Sequence, residues 1–316
     1  MEKLSIVVPC YNEEDVIDIF YDKLMEITAK ISDKYDYEIV FVDDGSSDNT
    51  FSKMKSLRGK NSKIKIISFS RNFGKEAGIY AGLSNSIGDL VVVMDADLQH
   101  PPELLIDMIK YIEEGYDTVA TRRINRKGEP LFSSFCASMF YKLINKFMEV
   151  KLEEGAQDFR MMKRNVVDSI LLLEEYNRFS KGIFSWVGFK CKYIEVENVK
   201  RVAGKTKWSF GSLWNYAMEG ITSFTTAPLK IATIIGILVF VLSTIFAFTI
   251  IIQTLILGKD VPGYASTIVS VLFMGAIQLL CVGILSEYIS KMYMEIKDRP
   301  KYIIKEKVEN EEGTNK

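Results

Sequence analysis

Two acidic segments of this sequence could bind a metal ion and a phosphate group. The segment DADLQ at residues 95–99 places carboxylates at Asp95 and Asp97 and an amide at Gln99, and DDGS at residues 43–46 forms a second acidic cluster. Oxygen ligands of this kind suit Mg²⁺ or Mn²⁺, and such a metal keeps coordination positions free for phosphate oxygens. The segments therefore predict a metal site for a diphosphate, although Asp pairs also cap turns and helices.

Each acidic segment follows a short apolar run that predicts a β-strand. The runs LSIVV, EIVFV, KIIS and DLVVVM end before Pro9, Asp43, Phe69 and Asp95, and helical segments separate them, including one around residues 16–31. This alternation predicts a parallel sheet wrapped by helices, in which ligands bind at the carboxyl ends of the strands. The polar residues at these ends therefore form the candidate site.

The composition and two missing motifs exclude several classes of protein. The chain has 316 residues, 48% of them apolar, and 40 basic against 41 acidic residues give a net charge of −1. A disordered protein and a generally basic nucleic-acid binder are therefore excluded, so no nucleic-acid partner is expected. The dinucleotide-binding fingerprint G-x-G-x-x-G follows none of the predicted strands. A partial P-loop ending at Thr206 has Val199 where its first glycine must be, which argues against a kinase or ATPase. The four cysteines contain no C-x-x-C pair, which argues against a zinc knuckle.

The last third of the chain contains two apolar runs that predict membrane spans. Residues 231–257 carry no charge, and about 20 apolar residues suffice to cross a bilayer. A second run at residues 268–284 extends toward Tyr288 to reach that length. Basic residues lie before the first run and after the second, whereas the connection offers only Lys259, which predicts cytoplasmic termini and a multi-pass protein of the cell membrane.

Two amphipathic segments, near residues 131–147 and over residues 209–229, predict helices at the membrane interface. The last ten residues, KVENEEGTNK, are polar and are expected to fray. The predicted organisation is therefore a cytoplasmic domain at 1–208, an interfacial helix at 209–229, two transmembrane helices at 230–290 and a cytoplasmic tail at 291–316.

The ordered motifs of the chain resemble those of glycosyltransferase family 2. These motifs are PCYNE at 9–13, VDDGS at 42–46, RNFGK at 71–75, DADLQ at 95–99 and QDFR at 157–160. Together with the two spans, they resemble the polyprenyl-phosphate glycosyltransferases, a group that includes dolichyl-phosphate mannose synthase and the bacterial undecaprenyl-phosphate glucosyl and N-acetylglucosaminyl transferases. The resemblance covers nearly the whole chain and implies a GT-A fold, an α/β nucleotide-binding domain.

The resemblance also implies roles for individual residues. Asp158 matches the acidic residue usually drawn as the catalytic base, and Asp97 is implied to be catalytic as well. Arg201 and Lys207 match an element near the acceptor phosphate, although they also fit a basic flank of the first span. A bound Mg²⁺ or Mn²⁺ is implied at Asp95, Asp97 and Gln99. Nucleotide contacts are implied for Pro9, Tyr11, Glu13, Asp43, Lys75 and Asp95.

The implied reaction is an inverting, metal-dependent transfer of a hexose from a nucleotide diphosphate sugar to undecaprenyl phosphate, which would supply cell-envelope glycosylation. UDP-glucose and UDP-N-acetylglucosamine are the leading donors, and a homo-oligomer is possible. A processive polysaccharide synthase is an alternative, but its Q-x-x-R-W motif requires Trp where Met161 stands. A phosphatase of the haloacid dehalogenase type requires Thr or Val where Gln99 stands, and the third alternative is a membrane scaffold without catalysis.

Overall fold

The computed structural model describes residues 1–123, 145, 152–196, 222, 225–256 and 263–309 of the chain. These residues fall into two compact units, of which one comprises residues 1–217 and 299–316 and the other residues 218–298. The helices predicted near 131–147 and over most of 209–229 lie outside the described residues, as do Arg201 and Lys207. The predicted four-part division of the chain stays a prediction.

The first unit contains an eight-stranded sheet with the order β7-β5-β6-β4-β1-β2-β3-β8. Its central strands β4, β1, β2 and β3 are parallel, as the sequence predicts, whereas β6 and β8 run antiparallel to their neighbours. The mixed sheet corrects the expectation of a purely parallel one. The strands are β1 (Glu2–Cys10), β2 (Tyr35–Asp43), β3 (Ile64–Phe69), β4 (Leu90–Val93), β5 (Thr118–Arg123), β6 (Ala156–Lys163), β7 (Cys191–Val196) and β8 (Ile304–Val308).

Helices cover this sheet and bury its apolar side chains. Phe20, Leu24 and Ile27 lie at helical spacing on α1 and are at most 2% exposed, so one face of this helix packs in the core. The central strands are apolar along their length because both faces of the sheet are covered. The helices of this unit are α1 (Ile17–Ile31), α2 (Thr50–Lys60), α3 (Lys75–Asn85), α4 (Leu104–Glu113), α5 (Arg164–Leu171) and α6 (Ser180–Trp186).

The eighth strand comes from the C-terminal tail and corrects the expectation that the tail frays from Lys307. Strand β8 pairs with β3 in antiparallel register, with Val308 opposite Ile66 and Lys307 opposite Ile67. Just before β8, the ring of Tyr302 stacks on Phe69 with centroids 4.9 Å apart. Lys307 and Val308 are therefore ordered parts of the sheet.

The second unit contains the two long apolar helices that the sequence predicts. Helix α7 spans Ala227–Leu255 and α8 spans Tyr264–Ile296. Both are long and apolar enough to cross a membrane, over Ala227–Ile250 and Thr267–Ile296, with mean hydropathies of 2.7 and 2.5. Within this unit, the Tyr288 hydroxyl donates a hydrogen bond of 2.6 Å to the Thr225 carbonyl. Apolar side chains such as Leu279, which is 75% exposed, cover the surface of these helices.

Candidate active site

The loops that follow β1 and β2 are joined by hydrogen bonds at the carboxyl edge of the sheet. The backbone N–H of Asn12 donates to Ser46 Oγ at 3.0 Å, and that of Ser47 donates to Asn12 Oδ1 at 2.9 Å. Asn12 adopts a left-handed conformation with a φ of 54°, which Asn tolerates better than most residues. Farther along, the N–H of Glu13 donates to Thr50 Oγ1 at 2.8 Å. The predicted nucleotide-binding loop is therefore built as one unit with the loop after β2.

Two buried carboxylates at the carboxyl end of β2 organise the surrounding backbone. Asp43 accepts hydrogen bonds from the Ser46 N–H at 3.0 Å and from the Ser68 hydroxyl, on neighbouring β3, at 2.7 Å. Asp44 accepts from the N–H groups of Phe73 at 2.6 Å and Gly74 at 2.9 Å. Burial raises the pKa of Asp44, and these two hydrogen bonds oppose that rise. Asp44 thus fixes the loop that leads directly into α3.

Gly45 permits the close approach of these two loops. Its φ is +66°, and a Cβ atom there would lie 2.4 Å from the backbone carbon of Arg71. Since that neighbour is backbone and not a flexible side chain, no other residue fits without moving a loop. The glycine of the DDGS segment therefore has a steric role in bringing the RNFGK loop to the site.

Lys75, the first residue of α3, connects two acidic residues from different strands. Its Nζ atom lies 2.8 Å from Asp95 Oδ1, just beyond β4, and 2.7 Å from Asp158 Oδ2, on β6. The antiparallel pairing of Val93 with Arg160 explains this arrangement, because it brings the start of β6 beside the end of β4. The structure thus brings together three residues that the sequence assigns to the site from motifs far apart in the chain.

The charges in this cluster control its ionisation. Burial alone would raise the pKa of Asp158, but the ammonium groups of Lys75 and then Lys181 hold it well below its usual range. Burial likewise opposes the charge of Lys75, but Asp158 and Asp95 raise the pKa of Lys75 above its usual value. Side chains of Asp158 and Lys75 remain 21% and 45% exposed, so solvent still reaches the pair. At neutral pH, Asp158 is therefore an anion that is paired with the ammonium group of Lys75.

The DADLQ turn offers oxygen ligands for a divalent cation. Asp97 Oδ1 accepts a hydrogen bond of 3.1 Å from the Gln99 N–H, and Leu98 between them has a φ of 56°. Asp95 is 26% exposed. Among the residues that the structure describes, no three His, Cys, Asp or Glu side chains converge on one point. These two carboxylates and one amide fit Mg²⁺ or Mn²⁺ only if diphosphate and water oxygens complete the coordination.

A further acidic residue, Glu76, connects α3 to α6 and has no role in the sequence prediction. Its Oε2 atom accepts hydrogen bonds from the backbone N–H of Ser180 at 3.0 Å and from the Ser180 hydroxyl. Burial raises the pKa of Glu76 to about 7, the Ser180 hydrogen bonds lower it, and Asp158 raises it further. Nearby, the guanidinium carbon of Arg178 lies 4.5 Å from the centroid of the Tyr80 ring. No short motif marks these contacts, which join residues about a hundred positions apart.

The other predicted site residues lie around the same edge of the sheet. Pro9 is the second-to-last residue of β1, and Tyr11 beyond the strand is 36% exposed. Their predicted contacts with a nucleotide, like those of Glu13 and Asp43, stay predictions. The predicted acceptor-phosphate residues Arg201 and Lys207 lie outside the described residues.

Comparison with known proteins identifies close relatives over nearly the whole chain. Residues 5–171 match the profile of glycosyl transferase family 2, and residues 227–292 match that of the GtrB C-terminal hairpin. The bactoprenol glucosyl transferase of Shigella phage SfII is 45% identical over 303 residues, which cover 96% of this chain and 97% of the phage protein. The prophage bactoprenol glucosyl transferase homolog of Escherichia coli K12 is also 45% identical, over 96% of this chain and 98% of its own.

Solved structures show a more distant likeness. Glucosyl-3-phosphoglycerate synthase from Mycobacterium tuberculosis, crystallised with Mn²⁺, UDP-glucose and phosphoglyceric acid, is 18% identical to this chain. The match covers 70% of this chain and 78% of that protein, with a TM-score of 0.45.

Proposed function

Because this chain belongs to glycosyl transferase family 2, we propose that it transfers glucose from UDP-glucose to a polyprenyl phosphate, specifically undecaprenyl phosphate, at the cytoplasmic face of the membrane. The observation that carries this proposal is the 45% identity to bactoprenol glucosyl transferases, which extends through both long apolar helices. Lys75 and the DADLQ turn meet at one edge of the sheet, and the proposal places both phosphorylated substrates there.

A divalent cation at Asp95, Asp97 and Gln99 is part of the proposal. When bound, Mg²⁺ or Mn²⁺ supplies a Lewis acid for the negative charge that grows on the departing diphosphate. The role of the chain is to orient the oxygen ligands, which the hydrogen bond between Asp97 and the Gln99 N–H supports.

We further propose an inverting transfer by a single displacement. The lipid phosphate attacks the anomeric carbon from the face opposite the diphosphate, and the bond to the diphosphate oxygen breaks as the new bond to the phosphate oxygen forms. A phosphate monoester has a second pKa of about 6, so the nucleophile is mostly ionised at neutral pH without a base. Asp158, whose pKa Lys75 holds low, is a poor proton acceptor and in this proposal orients substrate and cation instead.

We propose that both ends of the pair of long apolar helices, α7 and α8, lie at the cytoplasmic face of the membrane. Basic residues lie before the first of these helices and after the second, whereas the connection between them offers only Lys259. Such an excess of basic residues is typical of the cytoplasmic flanks of membrane spans.

The test is transfer of radiolabelled sugar from UDP-glucose, UDP-N-acetylglucosamine and GDP-mannose to undecaprenyl phosphate by the full-length protein in detergent. We expect a labelled, mild-acid-labile lipid from UDP-glucose, lost with EDTA, restored by Mn²⁺ and absent for Asp97→Ala. Asp107→Ala, an exposed Asp on α4, is the matched control and should retain activity. If folded protein gives no labelled lipid with any donor, the proposal is wrong.

A further inference from the structure

Lys181 is a cation beside the candidate catalytic carboxylate that no sequence motif assigns to the site. It is the second residue of α6 and is partly buried. Its charge is the second largest influence, after that of Lys75, in holding the pKa of Asp158 down. The residue before Lys181, Ser180, contacts Glu76, which is next to Lys75 in the chain. Lys181 therefore lies near the start of α3 and acts on Asp158, one of the two carboxylates that Lys75 contacts.

The two lysines differ in whether their charge is already matched. Lys75 forms ion pairs with Asp95 and Asp158, at 2.8 and 2.7 Å. For Lys181, no carboxylate of the described residues lies within 4.0 Å of the ammonium. A partly buried ammonium that lacks a close anionic partner has a charge available to a ligand.

The position of Lys181 is fixed by contacts on either side of it in sequence. Glu76 binds both the N–H and the hydroxyl of Ser180, the residue directly before Lys181. Arg178, which is 7% exposed, places its guanidinium over the ring of Tyr80. Because Glu76 and Tyr80 both belong to α3, the helix that begins with Lys75 also holds the segment that carries Lys181. Glu76 is thus a positioning residue in this arrangement.

We propose that Lys181 binds a phosphate oxygen of a substrate at this site. The inference rests on the proposed function, in which both substrates carry phosphate: the monoester of the lipid acceptor and the diphosphate of the sugar donor. A lysine ammonium is a compact point charge that binds either kind of phosphate. The position beside Asp158, which is proposed to orient the reacting groups, makes this cation part of the substrate-binding surface.

Binding of soluble probes tests this inference independently of turnover. Titration calorimetry measures the Kd of the full-length protein for UDP with Mn²⁺ and for farnesyl phosphate, a short prenyl phosphate. We expect Lys181→Gln to raise one of the two Kd values by about tenfold or more, since the change removes a charge-assisted hydrogen bond to phosphate. A rise for farnesyl phosphate alone identifies the acceptor phosphate, and a rise for UDP identifies the donor diphosphate.

Matched variants separate a binding role from a structural one. Lys181→Arg keeps the charge and should restore the affected Kd to within about threefold of the wild-type value. Lys23→Gln removes the charge of an exposed lysine on α1 and should change neither Kd. The inference is overturned if Lys181→Gln leaves both Kd values unchanged, or if Lys181→Arg weakens binding as much as Lys181→Gln does. If the wild-type protein binds both probes but transfers no sugar, the proposed function fails and the Kd values still decide on Lys181.

Discussion

Asp158 Oδ2 lies 2.7 Å from the Nζ atom of Lys75, and the same ammonium group lies 2.8 Å from Asp95 Oδ1. One cation therefore connects the DADLQ turn, which is proposed to hold the metal, to the carboxylate proposed to act in transfer. A carboxylate held in this way stays charged throughout the physiological pH range, because a neighbouring cation favours the ionised form. Its proposed contribution is position and charge, not the removal of a proton.

Asp158→Asn should lower kcat/KM by about a hundredfold, the cost of misplacing reacting groups by roughly 1 Å. The loss should be the same between about pH 6.5 and pH 8.5, since the acceptor phosphate, with a second pKa of about 6, is already largely ionised over that range. Steady-state rates of lipid-linked sugar formation across this range check the prediction. A variant rate that climbs steeply with pH beside a flat wild-type profile would instead identify Asp158 as a base.

Lys75→Gln should lower kcat/KM by about 10- to 100-fold, because the change removes a charge-assisted contact and leaves two carboxylates close together without a cation. The appropriate comparison is Lys75→Arg, which keeps the charge and should recover part of the activity. Equal activity of Lys75→Gln and wild type would show that the ion pairs have no part in the reaction. Circular dichroism of each variant would establish that the fold is retained.

Glu76 should make the stability of the protein pH-dependent. Its pKa in the folded protein is about 7, above the ordinary value of 4.5, so the folded state binds this proton more tightly than the unfolded state. The resulting stabilisation is complete below the ordinary pKa and is lost as the pH rises through the folded value. Asp158 makes stability depend on pH in the opposite direction, but this effect is confined to pH values below its ordinary pKa of 3.8.

Glu76→Gln removes this titration. Between about pH 5 and pH 8, the free energy of unfolding of the wild type should therefore fall relative to that of Glu76→Gln. Thermal unfolding in matched buffers measures the difference. Arg178→Lys retains the positive charge near Glu76 and is the control variant. Parallel curves for wild type and Glu76→Gln would mean that Glu76 has an ordinary pKa in the folded protein.

Removal of residues 303–316 should loosen strand β3, because β8 supplies its outer backbone hydrogen bonds. Hydrogen exchange at the amides of residues 64–69 should then become faster. The UDP Kd should also rise, since Ser68 on β3 donates to the predicted nucleotide-binding residue Asp43. The control is removal of residues 310–316 only, which keeps β8 and should leave both measurements unchanged.

Much of the fold was predictable from the sequence, because its central strands are coded locally. The runs that form β1 to β4 are apolar along their length, and the polar residues after them mark the binding edge. Asp43, Asp95 and Asp158 could be assigned from motifs, while the meeting of Asp95 and Asp158 around Lys75 depends on the pairing of β6 with β4.

The missed features depend on contacts between distant residues. Strand β8 has the sequence IKEKV and forms a charged, half-exposed edge of the sheet. More than two hundred residues separate it in the chain from β3, the strand with which it pairs. Glu76 looks in the sequence like an ordinary acidic residue in the first turn of a helix, where Glu is common. Only its burial against Ser180, 104 positions away, reveals a different role.

The position of β8 also constrains how the protein is made. A ribosome synthesises Glu2 to Val196, with seven strands of the sheet, before either apolar helix exists, and it synthesises Ile304 to Val308 after both. The outer edge of β3 therefore stays unpaired during the synthesis of the hairpin, and an unpaired edge is a template for association with other chains. Completion of the sheet requires residues that are synthesised only after the second apolar helix. The pairing of β8 with β3 is therefore the last step in forming this sheet, and it closes the edge at which other chains could associate.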